Sequence, residues 1–84
     1  QYGYSDDDHE TARRLKQSGE IQALEYFLKK ITASIPDSRV LEIELESKND
    51  RHIYEFEVLD NNGVVWKFEY DAQSGELLTQ HVDD

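Results

Sequence analysis

The sequence predicts an α+β domain: two N-terminal helices followed by a four-stranded antiparallel β-meander, with the main helix packed on one sheet face. Two observations predict it. Apolar residues recur at three- and four-residue steps from Ile21 to Ile35, then at every second residue from position 39 onward. Between the alternating runs stand clusters of Asn, Asp and Gly, the punctuation of hairpins. The 84 residues fit one domain, assigned to 6–82, with 1–5 a flexible lead-in.

The first helix opens at Ser5 or Asp6, either of which caps it, and Asp6, Asp7, Asp8 and Glu10 suit its positive end. Arg13, Arg14 and Lys16 suit the other end, and Gly19 stops it. Its apolar content is chiefly Ala12 and Leu15, so it docks lightly. The second helix is stronger. Ile21, Leu24, Phe27, Leu28, Ile31 and Ile35 form one stripe, Glu25 and Lys29 pair at i,i+4, and Pro36 ends the helix.

Strands are expected at 39–47, 52–60, 64–71 and 76–82. Leu41, Ile43 and Leu45 share one face, as do Tyr54, Phe56 and Val58, and then Trp66, Phe68 and Tyr70. Matching these faces pairs Leu45 with Tyr54, Ile43 with Phe56 and Leu41 with Val58. A three-residue loop, Asn61-Asn62-Gly63, sets Val58 by Trp66, Phe56 by Phe68 and Tyr54 by Tyr70, with Gly63 in the left-handed position. The third turn leaves two alternatives. A three-residue loop turns Leu78 and Val82 inward, whereas a four-residue loop turns Leu77, Thr79 and His81 inward.

Composition excludes several functions. The chain has 19 acidic and 9 basic side chains, a net charge of −10, which speaks against a nucleic-acid partner. No apolar run reaches the roughly 18 residues needed for membrane insertion. There is no cysteine, hence no disulfide, thiolate metal site or cysteine nucleophile. The chain starts at Gln1 and lacks Met, which reads as a fragment or a processed product whose targeting segment is out of view.

The register locates the charge. On the face away from the helix, Glu44 opposes Glu55, Glu42 opposes Glu57 and Glu55 opposes Glu69. Glu46 extends the cluster, and Lys67 beside Glu57 is the one offset. Like charges opposed across strands destabilise a sheet. Two readings stand: a docking face for a basic partner, or long side chains splaying into water, since exposed like-charge pairs cost only tenths of a kcal/mol. Val40, Leu59 and Val65 align as an apolar row on the same face, a candidate partner or dimer contact. A weak calcium site is a further use of the carboxylates, although a flat strand face lacks the loop carbonyls of a tight one.

Other chemistry finds little support. The run Asp6-Asp7-Asp8-His9-Glu10 has metal-ligand composition but places Arg13, not a second His, at i,i+4 from His9. His52 and His81 lie in or near strands, and the serines fall at caps and turns, so no triad forms. Tyr54, Phe56, Trp66, Phe68 and Tyr70 read as core rather than as a stacking platform for bases. No cofactor, catalytic residue or metal ligand is assigned.

Several stretches resemble one family. The apolar helix Leu24–Ile35, the strand 38–46, the strand 53–60 and above all the run Asp71-Ala72-Gln73-Ser74-Gly75-Glu76-Leu77-Leu78 look like a PepSY domain. The lead-in from Asp8 to Leu15 and the step Ser18-Gly19-Glu20-Ile21 resemble the short single-domain bacterial members that carry a secretion signal. The order of elements is also similar to one repeat of the β-lactamase inhibitory protein. Gln22-Ala23 departs from similar proteins, where proline is common. The resemblance implies a periplasmic or secreted, non-catalytic module, since such domains occur in propeptides of thermolysin-type metallopeptidases and in envelope proteins. The expected function is therefore binding and regulation by protein contact, with a peptidase or an envelope signalling protein as partner. The alternatives are a peptidase inhibitor or propeptide-like inhibitory domain, and a weak calcium or small-ligand binder. An open edge at the first strand offers a route to a homodimer.

Overall fold

The chain folds where its periodicity changes. The computed structural model describes residues 6–83, with side chains from Glu10 onward. The proposed cap Ser5, the lead-in 1–5 and the side chains of Asp6, Asp7, Asp8 and His9 lie outside that description. The elements are α1 (Asp6–Gln17), α2 (Leu24–Ser34), β1 (Arg39–Lys48), β2 (Arg51–Leu59), β3 (Val65–Asp71) and β4 (Leu77–Val82). The strands pair in chain order as one antiparallel sheet, β1-β2-β3-β4.

α1 ends in a Schellman arrangement: Glu20 N donates to Leu15 O (2.8 Å) and Gly19 N to Lys16 O (3.1 Å). The apolar stripe begins at Ile21, but the second helix does not. Ala23 is extended (φ −65°, ψ 146°), and the Gln22 N–H donates to Ala72 O at 2.8 Å. That hydrogen bond to the β3–β4 turn holds residues 21–23 out of helix, while Ile21 still reaches the core.

The core lies between α2 and the inner sheet face. Phe27, Ile31, Ile43, Tyr54, Phe56, Val58, Phe68 and Tyr70 are its largest fully buried side chains. Phe27 is the hub, with ring centroids 5.2 Å from Tyr54, 5.2 Å from Tyr70 and 6.1 Å from Phe56. Burying each such side chain is worth about 1.5–3 kcal/mol, so the inner face supplies most of the stability. Ala72, just past β3, is also fully buried and was not expected in the core.

Two bulges revise the expected facing. On β1, Val40 pairs with Val58 and Glu42 with Glu57, so Leu41 is the extra residue. Leu41 is therefore 37% exposed, and Val40 packs against the core in its place. An extra residue reverses the alternation on one side of itself and bends the strand, here where the chain enters from the Ile35–Ser38 turn. On β4, Glu69 pairs with Thr79 and Tyr70 with Leu77, so Leu78 is extra. Asp71 N donates to Glu76 O, closing a four-residue loop, and the bulge then reverses the facing. Gln80 and Val82 end opposite Phe68 and Trp66 on the helix side, the facing expected of the shorter loop.

Away from the bulges, the first two hairpins follow the expected register. Asn49 and Asp50 both have positive φ (53° and 61°), forming a two-residue turn between Lys48 and Arg51. Asp60 N donates to Val64 O across Asn61-Asn62-Gly63, with Gly63 at φ 83°. Among the described residues, no helix is long and apolar enough to cross a membrane.

Candidate functional site: the outer sheet face and its edge

The two carboxylate rows are present on the outer face. Glu44 faces Glu55, which faces Glu69, and Glu42 faces Glu57, which faces Lys67, which faces His81. Lys67 Nζ lies 3.9 Å from Glu55 Oε2, and Thr79 Oγ1 donates to Glu69 Oε1 at 2.8 Å. The Glu55 side chain is only 17% exposed. Burial pushes its carboxyl up to about 7, Lys67 opposes this, and Glu44, Glu46 and Glu69 reinforce it. Glu57 is also raised, first by a hydrogen bond shared with Asp83 and then by burial. Lys67 is held above its ordinary range, chiefly by Glu55 and then by Asp83. Asp83 thus belongs to this face, although it lies one residue beyond the expected last strand.

The apolar row is shorter than expected. Leu59 and Val65 pair directly, but the bulge turns Val40 toward the core and sets Arg39 opposite Leu59. Carboxylate oxygens of Glu44, Glu46 and Glu55 lie within 4.8 Å of one another, close enough for three ligands of one cation. The ammonium of Lys67 competes for Glu55.

At the other end of the sheet, three residues meet that sequence reasoning kept apart. Ser47 Oγ lies 2.8 Å from His52 Nδ1, and Glu20 Oε1 lies 3.9 Å from His52 Nε2. The order is opposite to a serine triad, in which Nε2 serves the nucleophile and Nδ1 the acid, and 3.9 Å exceeds a hydrogen bond. The approach sets the α1–α2 connection beside the β1–β2 hairpin. Only the pairing of Ser47 with His52 across the strands, implicit in the register, signalled it beforehand.

The run after β3 aims the last strand. Asp71 Oδ1 accepts from Gln73 N (2.9 Å) and Ser74 N (3.0 Å), and these bonds, Ser74 first, hold its carboxyl below the usual range. Arg51 Nε stands 3.4 Å from Asp71 Oδ2. Gly75 has φ 85°, and a Cβ there would lie 2.5 Å from the Tyr26 ring. Lys30 Nζ donates to Gly75 O at 2.9 Å and sits over the rings of Tyr26 (5.0 Å) and Tyr70 (5.8 Å). Helix, turn and sheet meet at one point, which accounts physically for Asp71 and Gly75 in the Asp71–Leu78 run.

The family model described as "Peptidase propeptide and YPEB domain" matches residues 20–81, most of the chain and all of the sheet except Val82. The chain belongs to the PepSY family. Comparison with curated proteins finds no match, and comparison with solved structures finds none. PepSY domains are associated with peptidase-propeptide and inhibitor-like regulatory roles, are generally non-catalytic and are typically extracytoplasmic. α1 lies outside the matched residues and contributes Ala12 and Leu15 to the core. In this PepSY domain the aromatic residues Tyr54, Phe56, Phe68 and Tyr70 are buried, leaving the carboxylate face as the chemically distinctive surface.

Proposed function

We propose that this PepSY domain is an extracytoplasmic, non-catalytic binding and regulatory module that acts by protein contact through the outer face of its sheet. The observation that carries the reading is the concentration of Glu42, Glu44, Glu46, Glu55, Glu57, Glu69 and Asp83 around one lysine; burial raises the Glu55 carboxyl to about 7, and Glu44, Glu46 and Glu69 add to it against Lys67. A carboxylate held partly uncharged at neutral pH, as Glu55 is, is a cost to the free domain that a docking cationic surface relieves. Leu59 and Val65 give that contact a small apolar centre. The partner is a protein with a basic face, either a peptidase or an envelope signalling protein. Capture from envelope extract, followed by simultaneous reversal of Glu44, Glu55 and Glu57 to Lys, tests it. Loss of the captured partner supports the surface, and unchanged capture rejects it.

The family description favours one variant of this reading, in which the bound partner is a peptidase held inactive. Micromolar domain then slows a co-encoded or secreted metallopeptidase, and a panel of such enzymes running at full rate counts against it. The 4.8 Å grouping of Glu44, Glu46 and Glu55 favours a calcium reading, which predicts a higher melting midpoint on adding calcium.

A further inference from the structure

β4 differs from every other strand in what covers it. Leu77, Thr79, Gln80, His81 and Val82 are all exposed, including residues that point to the helix side, because α2 lies over the earlier strands. Leu77 at 42% and Val82 at 43% are two of the most exposed large apolar side chains. The two edges of the sheet are unequally protected. β1 carries Arg39, Glu42, Glu44, Glu46 and Lys48, is bent by its bulge at Leu41, and has α1 beside it. Charges, bulges and covering elements are the usual guards against strand addition. The β4 sequence Leu-Leu-Thr-Gln-His-Val has no Lys, Arg, Asp, Glu or Pro, and its one bulge is at its start. The open edge is therefore at β4 rather than at β1.

The direction of its backbone groups follows from one hydrogen bond. Asp83 N donates to Val65 O at 2.8 Å. In an antiparallel ladder residues alternate between bonding the neighbouring strand and facing away from it. His81 and Thr79 therefore bond toward β3, and the N–H and C=O groups of Gln80 and Val82 face the open side. A strand added there, roughly 4.8 Å away, meets two chemistries. Its outer-face side chains lie beside Thr79, His81 and Asp83, with Glu69 one strand further in and linked to Thr79. Its inner-face side chains meet Gln80 and Val82, with Trp66 one strand further in.

We propose that β4 is a docking edge for an extended segment of a partner protein that alternates basic and apolar residues, adding a fifth strand to the sheet. The inference rests on the reading of the acidic face and names how the partner engages it. Charge chooses the occupant. A second copy would bring another −10 and another carboxylate face to the same edge, whereas a segment with Lys or Arg at every second position neutralises Asp83 and Glu69 while its apolar positions cover Val82.

The test uses the whole chain and three blocked octapeptides: one alternating lysine and valine, one alternating glutamate and valine, and the lysine peptide N-methylated at alternate residues. Affinity is read by calorimetry, and amide hydrogen exchange reports position. The expected result is saturable binding of the lysine peptide with new protection at Gln80 and Val82. Binding should weaken at least about tenfold on N-methylation and in Gln80→Pro, and be lost for the glutamate peptide. Gln80→Lys, which keeps the N–H but guards the edge, should weaken it as well, so the outcome does not depend on one variant folding. Equal binding of the N-methylated peptide, absence of protection at β4, or a dimer that Gln80→Pro dissolves would each overturn the proposal. Failure of the edge with continued sensitivity of partner capture to the Glu44, Glu55 and Glu57 reversals leaves the face reading standing; the converse removes that reading.

Discussion

Replacing Glu55 by Gln converts the least solvated carboxylate of the outer face into a permanently neutral side chain of the same shape. The Glu55 carboxyl sits at about 7 against an ordinary 4.5. A group raised in the folded state favours folding while it is protonated. Its contribution is fully present below pH 4.5 and is lost as pH rises through about 7. At roughly 1.4 kcal/mol per pH unit, the gap sets a ceiling of about 3 kcal/mol on the penalty at pH 8. The face is open to water and Lys67 stands 3.9 Å away, so screening brings the working figure to about 1 kcal/mol. For a domain of this size that corresponds to a midpoint shift of about 4–8 °C. Thermal unfolding of Glu55→Gln and wild type at pH 4 and pH 8 reads it directly. The variant should match wild type at pH 4 and melt higher at pH 8. A variant equal to or less stable than wild type at pH 8 would refute the argument that burial and neighbouring carboxylates load this residue. A gain of the same size at both pH values would refute it equally, because it would then owe nothing to ionisation.

Gly75→Ala should destabilise the domain by about 2–3 kcal/mol in denaturant unfolding, because the left-handed backbone and the Tyr26 ring both oppose a Cβ. Leu41→Lys should change stability by no more than about 0.5 kcal/mol while Val40→Lys costs about 2 kcal/mol or more, the reverse of what strict alternation demands. Asp60 accepts hydrogen bonds from Trp66 Nε1, Val64 N and Asn62 N, and these hold its carboxyl below the usual range. Its contribution is thus present above the ordinary carboxylate range and is lost on acidification, so the fluorescence of the single tryptophan should change during an acid titration of wild type and not of Asp60→Ala.

Element types and register were legible because two independent signals agreed. The alternation of Ile43-Leu45, Tyr54-Phe56-Val58 and Phe68-Tyr70 permits few pairings, and the Asn-Asp and Asn-Asn-Gly turns select among them. The acidic rows followed from the same register. What was not legible depends on the third dimension. Leu41 and Leu78 continue the apolar spelling of their strands, so an inserted residue leaves no trace in the pattern. Ala72 is small and lies in a turn, and only the docking of Gln22 on its carbonyl shows that the site is enclosed. Asp83 lies past the last strand and reaches Glu57 across β3. The meeting of Glu20 with His52 joins residues far apart in the chain, which no periodicity reports.

Solubility alone does not explain where the charge is placed. Dispersed carboxylates hydrate a small domain as well as clustered ones and avoid the opposition of Glu44, Glu55 and Glu69 across three adjacent strands. Stability does not explain it either, because the inner face carries the large buried side chains and the buried Glu55 carboxyl is a cost to folding at neutral pH. The single lysine in the middle relieves Glu55 and leaves Glu42, Glu44 and Glu46 without a cation opposite them in the ladder. At the far side of the same sheet the one strand without a charged residue has its edge uncovered. The carboxylates nearest that edge are Asp83 and Glu69, whereas Glu42, Glu44 and Glu46 stand on the opposite edge strand. A basic extended segment at β4 therefore neutralises the near end of the face, and the rows further in are left for the rest of a basic partner surface to cover.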